Sequence, residues 1–183
     1  MQFQVQNLTV HKFGGASVKD ADAVRNVESI LSKCFISPAV VVVSAMGKTT
    51  NKLELVFSTL VAEGFDKALD QLNEVVSEHQ QVISDLELNL DLSNLFHAAL
   101  KKSHSLGDPD AAYDELVASG EDASTKILSA YLDVKRGDVE WRDVRGIVET
   151  DARHSSARVD ESRLAEMGVP LRSGLSKSSK TII

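Results

Sequence analysis

Lys12-Phe13-Gly14-Gly15-Ala16-Ser17 joins an apolar strand to an amphipathic helix, and the rest of the chain can be read outward from that junction. Leu8, Val10 and Phe13 supply the apolar positions of the strand, and two glycines then permit a tight turn. Ser17 precedes a helix whose apolar positions run Val18, Ala21, Val24, Val27, Ile30 and Leu31. A strand, a glycine turn and a helix N-terminus place backbone N–H groups where an anion can sit, and Lys12 adds a positive charge. The stretch therefore predicts a phosphate site in an α/β fold. An ordinary strand-to-helix turn with an incidental lysine has the same local pattern.

The next strand follows at Ala39-Val40-Val41-Val42-Val43, a β-branched run that predicts a central parallel strand buried on both faces. The helix between the two strands has crossover length, so a right-handed βαβ unit is expected. From Leu53 to Lys102 the pattern is almost wholly helical. Asn51 is placed to cap a first helix and Gly64 to end it. Leu69, Leu72, Val76, His79, Ile83, Leu86 and Leu90 then form a seam spaced alternately three and four. Leu92, Leu95, Phe96, Ala99 and Leu100 offer a second helix to pack on it. An intramolecular hairpin is favoured over a coiled-coil dimer at this length. Further helices are expected at 111–118 and 123–134, a strand at 139–148 and a helix at 158–167. The serine- and lysine-rich tail from Leu171 shows no periodicity.

Hydroxyls cluster past the second strand, in Ser44-Ala45-Met46-Gly47-Lys48-Thr49-Thr50-Asn51. Ligands of open α/β sheets bind at such carboxyl ends. Gly47-Lys48-Thr49 resembles the end of a P-loop, but G-x-x-x-x-G-K-[ST] requires glycine where Val42 stands. A third cluster, Ser119-Gly120-Glu121-Asp122-Ala123-Ser124-Thr125, opens a helix. Ser119 and Asp122 have the spacing of a capping box, which leaves Glu121 unexplained.

These three stretches, in this order, resemble the aspartokinases of the amino acid kinase superfamily. The opening signature there is usually KFGGTSV, and Ala16 replaces its threonine; the second matches VVSAMG followed by TN, and the third an SGE motif. The resemblance implies a three-layer αβα sandwich of amino acid kinase type, with a mostly parallel sheet and a helical excursion at about 53–104. It implies ATP- and magnesium-dependent phosphorylation of the L-aspartate β-carboxylate, the first step toward lysine, threonine, methionine and isoleucine. It assigns Lys12 as the catalytic residue, with Gly14, Gly15 and Ser17 also at the phosphates. Ser44, Thr50 and Glu121 would hold aspartate. A looser match at 143–151 adds Thr150 and Asp151 near the nucleotide. No metal ligand is assigned.

Residues 1–170 are expected to be the N-terminal part of the catalytic domain. The tail 171–183 does not match the TTLGRGGSD-type segment of the family, and no ACT regulatory domain is seen. The fold is accordingly expected to be incomplete and the chain alone inactive, with self-association through exposed apolar surface. A kinase for a related amino acid such as glutamate, or a silent binding or assembly module, are the other readings.

Composition sets outer bounds. The 183 residues suffice for one core, and 43% hydrophobic with 26% charged residues is ordinary for a globular protein. A net charge of -7 argues against general nucleic-acid binding. Cys34 is the only cysteine, so no intrachain disulfide forms. Met1 to Gln6 lacks a signal core, and the longest apolar run is too short for a bilayer. A cytoplasmic protein without membrane partners is expected. The five histidines show no compact metal spacing, and His79 reads as a core residue.

Overall fold

A computed structural model describes residues 9–34, 39–151, 153–166 and 181–183. Four parallel strands form one sheet in the order β1-β2-β4-β3: β1 Thr9–Phe13, β2 Ala39–Val43, β3 Val139–Glu140 and β4 Thr181–Ile182. β1 and β2 run in register from Thr9 opposite Ala39 to Phe13 opposite Val43. Their last residues therefore end side by side, and the loops that follow emerge together at one sheet edge.

Between these strands lies α1, Ala21–Cys34, with Ala21, Val24, Val27 and Leu31 buried in a 3.6-residue stripe. A 3-10 turn at Gly15–Val18 precedes it, so the α-helix starts later than the sequence suggested. Asp20 explains the shift: its carboxylate accepts a 2.8 Å hydrogen bond from the Ala23 N–H and occupies the helix N-terminus. Any anion at the glycine turn would meet the N–H groups of the 3-10 turn, not those of α1.

Five helices separate β2 from β3: α2 Thr49–Glu63, α3 Phe65–Asp85, α4 Ser93–Ser105, α5 Pro109–Val117 and α6 Ser119–Arg136. Lys48, not Asn51, is the residue preceding α2, and Gly64 ends that helix. The expected hairpin forms within the chain. Leu72, His79 and Ile83 of α3 join Phe96 and Leu100 of α4 in the buried core, with the His79 and Phe96 rings 5.0 Å apart. Asp108 caps α5 through the N–H groups of Asp110 and Ala111, and Pro109 fits the first turn. In α6, Ala123, Ile127, Leu128 and Leu132 are buried against the same core.

Three expectations change. β2 alternates rather than being buried throughout: Val41 and Val43 are buried, while Val42 is 45% exposed beside Val10 at 60%. The register explains this. On its face Val42 has Lys12 as its β1 neighbour, and β4 pairs only with Ala39 and Val40. The strand expected over 139–148 shrinks to Val139–Glu140. Asp143 accepts a hydrogen bond from the Arg145 N–H at 2.9 Å and turns the chain into a 3-10 segment, Val144–Gly146. Finally, the aperiodic tail contributes β4, which lies between β2 and β3. The expected helix at 158–167 is helical at 161–166 and otherwise partly outside the described residues.

Candidate active site

The two loops leaving β1 and β2 interlock. The Ser44 N–H donates to the Phe13 carbonyl at 3.1 Å, and the Gly47 N–H to the Gly15 carbonyl at 2.9 Å. Gly15 is required by this contact, since a Cβ there would lie 2.6 Å from the Ala45 carbonyl oxygen. Gly14 is different: a Cβ would meet nothing within 4 Å, so its face is open to an approaching ligand. Ser17 is exposed on the 3-10 turn, and its N–H donates to the Gly14 carbonyl at 2.9 Å.

Lys12 leaves β1 on the less covered sheet face, and its Nζ stands 3.5 Å from Ser44 Oγ. The lysine expected at the phosphates and the serine expected to hold aspartate are thus neighbours. Glu121 reaches the same loop from the first turn of α6, where its Oε1 accepts from the Ala45 N–H at 3.3 Å. Gly120 allows this close approach: a Cβ there would lie 3.2 Å from Ala45, Leu53 and Thr49 side-chain atoms. Thr50 lies half-buried in the first turn of α2, one residue after buried Thr49.

The capping box expected at Ser119 does not form. Ser119 Oγ donates instead to the Leu116 carbonyl at 2.6 Å, and Asp122 pairs with Arg145 at 3.0 Å. Arg145 also binds Asp143 at 2.8 Å, which holds the Asp143 carboxyl below its ordinary value and raises the guanidinium. Beside it, Lys126 Nζ sits 3.3 Å over the Trp141 ring, and burial lowers its affinity for a proton. These contacts fasten the 141–146 segment to α6.

Thr150 and Asp151 make local contacts. Thr150 forms an isolated bridge with Val159, and Asp151 accepts from the N–H groups of Arg153 and Arg158. None of their hydrogen bonds among the described residues reaches the glycine turn. Ser124 was missed by the sequence reading. One helical turn beyond Glu121, it is 1% exposed and its Oγ donates to the Ser44 carbonyl at 2.8 Å. Its i,i+3 spacing from Glu121 was the available signal. Among the described residues, no group of three or more His, Cys, Asp or Glu side chains is placed to hold a metal ion.

The amino acid kinase family model matches residues 7–175. Lysine-sensitive aspartokinase 3 of Escherichia coli is 32% identical over 170 residues, covering 89% of this chain and 37% of the relative. Aspartokinase 1, chloroplastic, of Arabidopsis thaliana is 33% identical over 136 residues, covering 67% of this chain and 23% of that protein. Among solved structures, E. coli aspartokinase III in complex with aspartate and ADP superposes with a TM-score of 0.79 at 26% identity. The match covers 96% of this chain and 40% of that one. The chain therefore spans about two fifths or less of the length of these relatives.

Proposed function

The chain belongs to the amino acid kinase family, and we propose that it serves aspartate kinase chemistry, with L-aspartate and ATP as substrates. The observation that carries this reading is the convergence of Lys12, Ser44 and Glu121 where β1 and β2 end. Similarity to aspartokinases, one of them solved with aspartate and ADP, supports it.

In the proposed reaction, a β-carboxylate oxygen of aspartate attacks the γ-phosphorus of ATP. A new O–P bond forms, the bond to the β,γ-bridging oxygen breaks, and ADP leaves with 4-phospho-L-aspartate as product. Such transfer depends on positioning and on neutralising charge on the phosphoryl oxygens. Lys12 supplies a point charge there, and the open face of Gly14, with Gly15 and Ser17 on the same turn, admits the phosphate. Ser44 and Thr50 donate hydroxyl hydrogen bonds to the amino acid. Glu121 keeps one oxygen on the Ala45 N–H, leaving the other for the substrate ammonium. Thr150 and Asp151 remain assigned to the nucleotide side. Magnesium accompanies ATP in this reading, and no residue of this chain is assigned to it. A cytoplasmic role in lysine, threonine, methionine and isoleucine formation, with homo-oligomer assembly, belongs to the same proposal.

The test is L-aspartate titration of the protein, followed through the backbone amides of Ser44, Ala45 and Glu121. Saturable shifts at these amides with L-aspartate, and none with L-glutamate, are expected. Equal responses to both amino acids, or shifts confined elsewhere, would overturn the assignment.

A further inference from the structure

A cavity of about 280 Å³ opens between the start of α2 and the middle of α3, bordered by Lys19, Lys48, Thr49, Lys52, Glu78 and His79. Lys12, Ser44 and Glu121 do not line it. Three lysines around one cavity are notable in a chain of net charge -7. Even with Glu78 counted, the lining carries more positive than negative side chains, and a low-dielectric wall strengthens the field of such a cluster. Lys52 pairs with Glu78 and Lys19 with Asp20, whereas Lys48 has no ion-pair partner among the described residues.

The wall behind the lysines carries polar groups. Thr49 and His79 are 4% and 3% exposed. His79 Nδ1 lies 2.8 Å from the Val75 carbonyl, which can only accept, so that nitrogen carries the proton. Nε2 then faces Thr49 Oγ1 at 3.4 Å as an acceptor. That contact is long, and the Thr49 hydroxyl can turn to donate to a bound oxyanion instead. The N-terminus of α2 ends at the same cavity with no side chain capping it.

We propose that this cavity is an anion site for a phosphoryl group, separate from the Lys12 turn, with Lys48 and Lys52 as its main charges and Thr49 as a hydroxyl donor. Ammonium groups act as adaptable point charges for phosphate oxygens. Glu78 acts as an internal competitor that holds Lys52 until an anion replaces it. This inference does not depend on the aspartate kinase reading, because no residue of that assignment contributes to the cavity.

The test is titration of the full chain with inorganic phosphate and with pyrophosphate, in chloride buffer, by calorimetry and amide shifts. Saturable shifts at Lys48, Thr49 and Lys52 are expected, titrating independently of any shift at Gly14, Gly15 and Ser17. Tighter binding of pyrophosphate would mark a diphosphate source, and equal binding a single phosphate. Lys48→Gln and Lys52→Gln should each weaken binding about tenfold, and Glu78→Gln should tighten it. These side chains are at the surface, so the variants should keep the wild-type circular dichroism. Lys101→Gln should leave binding unchanged, and Lys12→Gln should leave the shifts at Lys48, Thr49 and Lys52 unchanged whatever it does at the glycine turn. No binding by the wild-type protein would overturn the proposal. So would loss of these shifts with Lys12→Gln instead of Lys48→Gln, or equal weakening with Lys101→Gln, which would indicate diffuse attraction.

Discussion

Ser124 Oγ donates a 2.8 Å hydrogen bond to the carbonyl of Ser44, joining positions 80 residues apart. The donor is buried in the first turns of α6, and the acceptor belongs to the loop that carries the serine beside Lys12. One turn earlier, Glu121 binds the N–H of the next loop residue, Ala45. The same helix face thus fixes both sides of one peptide group. The geometry of the Ser44 hydroxyl depends on α6 as much as on β2.

Ser124→Ala should cost about 1–2 kcal/mol, because the Ser44 carbonyl loses its buried donor. Urea denaturation measures the loss. Ser124→Thr retains the hydroxyl and should recover part of it. An unchanged midpoint in the alanine variant would show that this hydrogen bond does not hold the loop.

Glu121→Gln should weaken L-aspartate binding by roughly 1.5–3 kcal/mol, by removing the charge from a charge-assisted contact to the ammonium. The amide side chain can still accept from the Ala45 N–H, so thermal stability should change little. Calorimetry with aspartate and a melting curve separate these effects. Equal aspartate affinity in both proteins would remove Glu121 from the substrate site.

The two glycines of the turn should respond differently. Gly15→Ala places a methyl group 2.6 Å from the Ala45 carbonyl oxygen and should destabilise the protein by about 1–3 kcal/mol. Gly14→Ala meets open space and a β-region backbone, so stability should be retained. If Gly14 faces the phosphate, its methyl group should instead weaken ATP binding. Melting temperatures and nucleotide titrations of the two variants check this contrast.

His79 predicts a pH dependence. Burial is the main cause that holds its imidazole below the ordinary value, opposed by the Val75 carbonyl and Glu78. The unfolded chain takes up a proton near pH 6.5, while the folded protein resists it until lower pH. Stability from this residue is therefore full above about pH 6.5, and falls as pH drops below it. The decline levels off once folded His79 also protonates. Melting temperature should fall between neutral pH and the lower end of the histidine range. His79→Gln should flatten that slope, and an unchanged slope would rule out His79 as its source.

Local patterns in the sequence determined much of this protein. Spaced apolar residues before Lys12, the β-branched run at 39–43 and the paired glycines located β1, β2 and the turn at Gly14-Gly15. The three-and-four spacing through Leu72, His79 and Ile83 located α3 and its burial beside α4. Such signals are legible because strand and helix periods repeat over neighbouring residues. Lys12, Ser44 and Glu121 were singled out by motif resemblance, since their types and spacing alone also suit a turn, a loop and a helix surface.

Only the tertiary structure decided relations between distant segments. Ser124 looked like an ordinary helix residue until packing brought it to Ser44. Asp20, not Ser17, stands at the start of α1, where its carboxylate accepts from the Ala23 N–H. Thr181 and Ile182 have too short an apolar run to announce a strand, yet they pair with Ala39 and Val40 on one side and Val139 and Glu140 on the other. The gathering of Lys19, Lys48 and Lys52 around one cavity has the same origin. Chain periodicity fixes which residues share an element, whereas long-range packing and hydrogen bonding fix which elements meet.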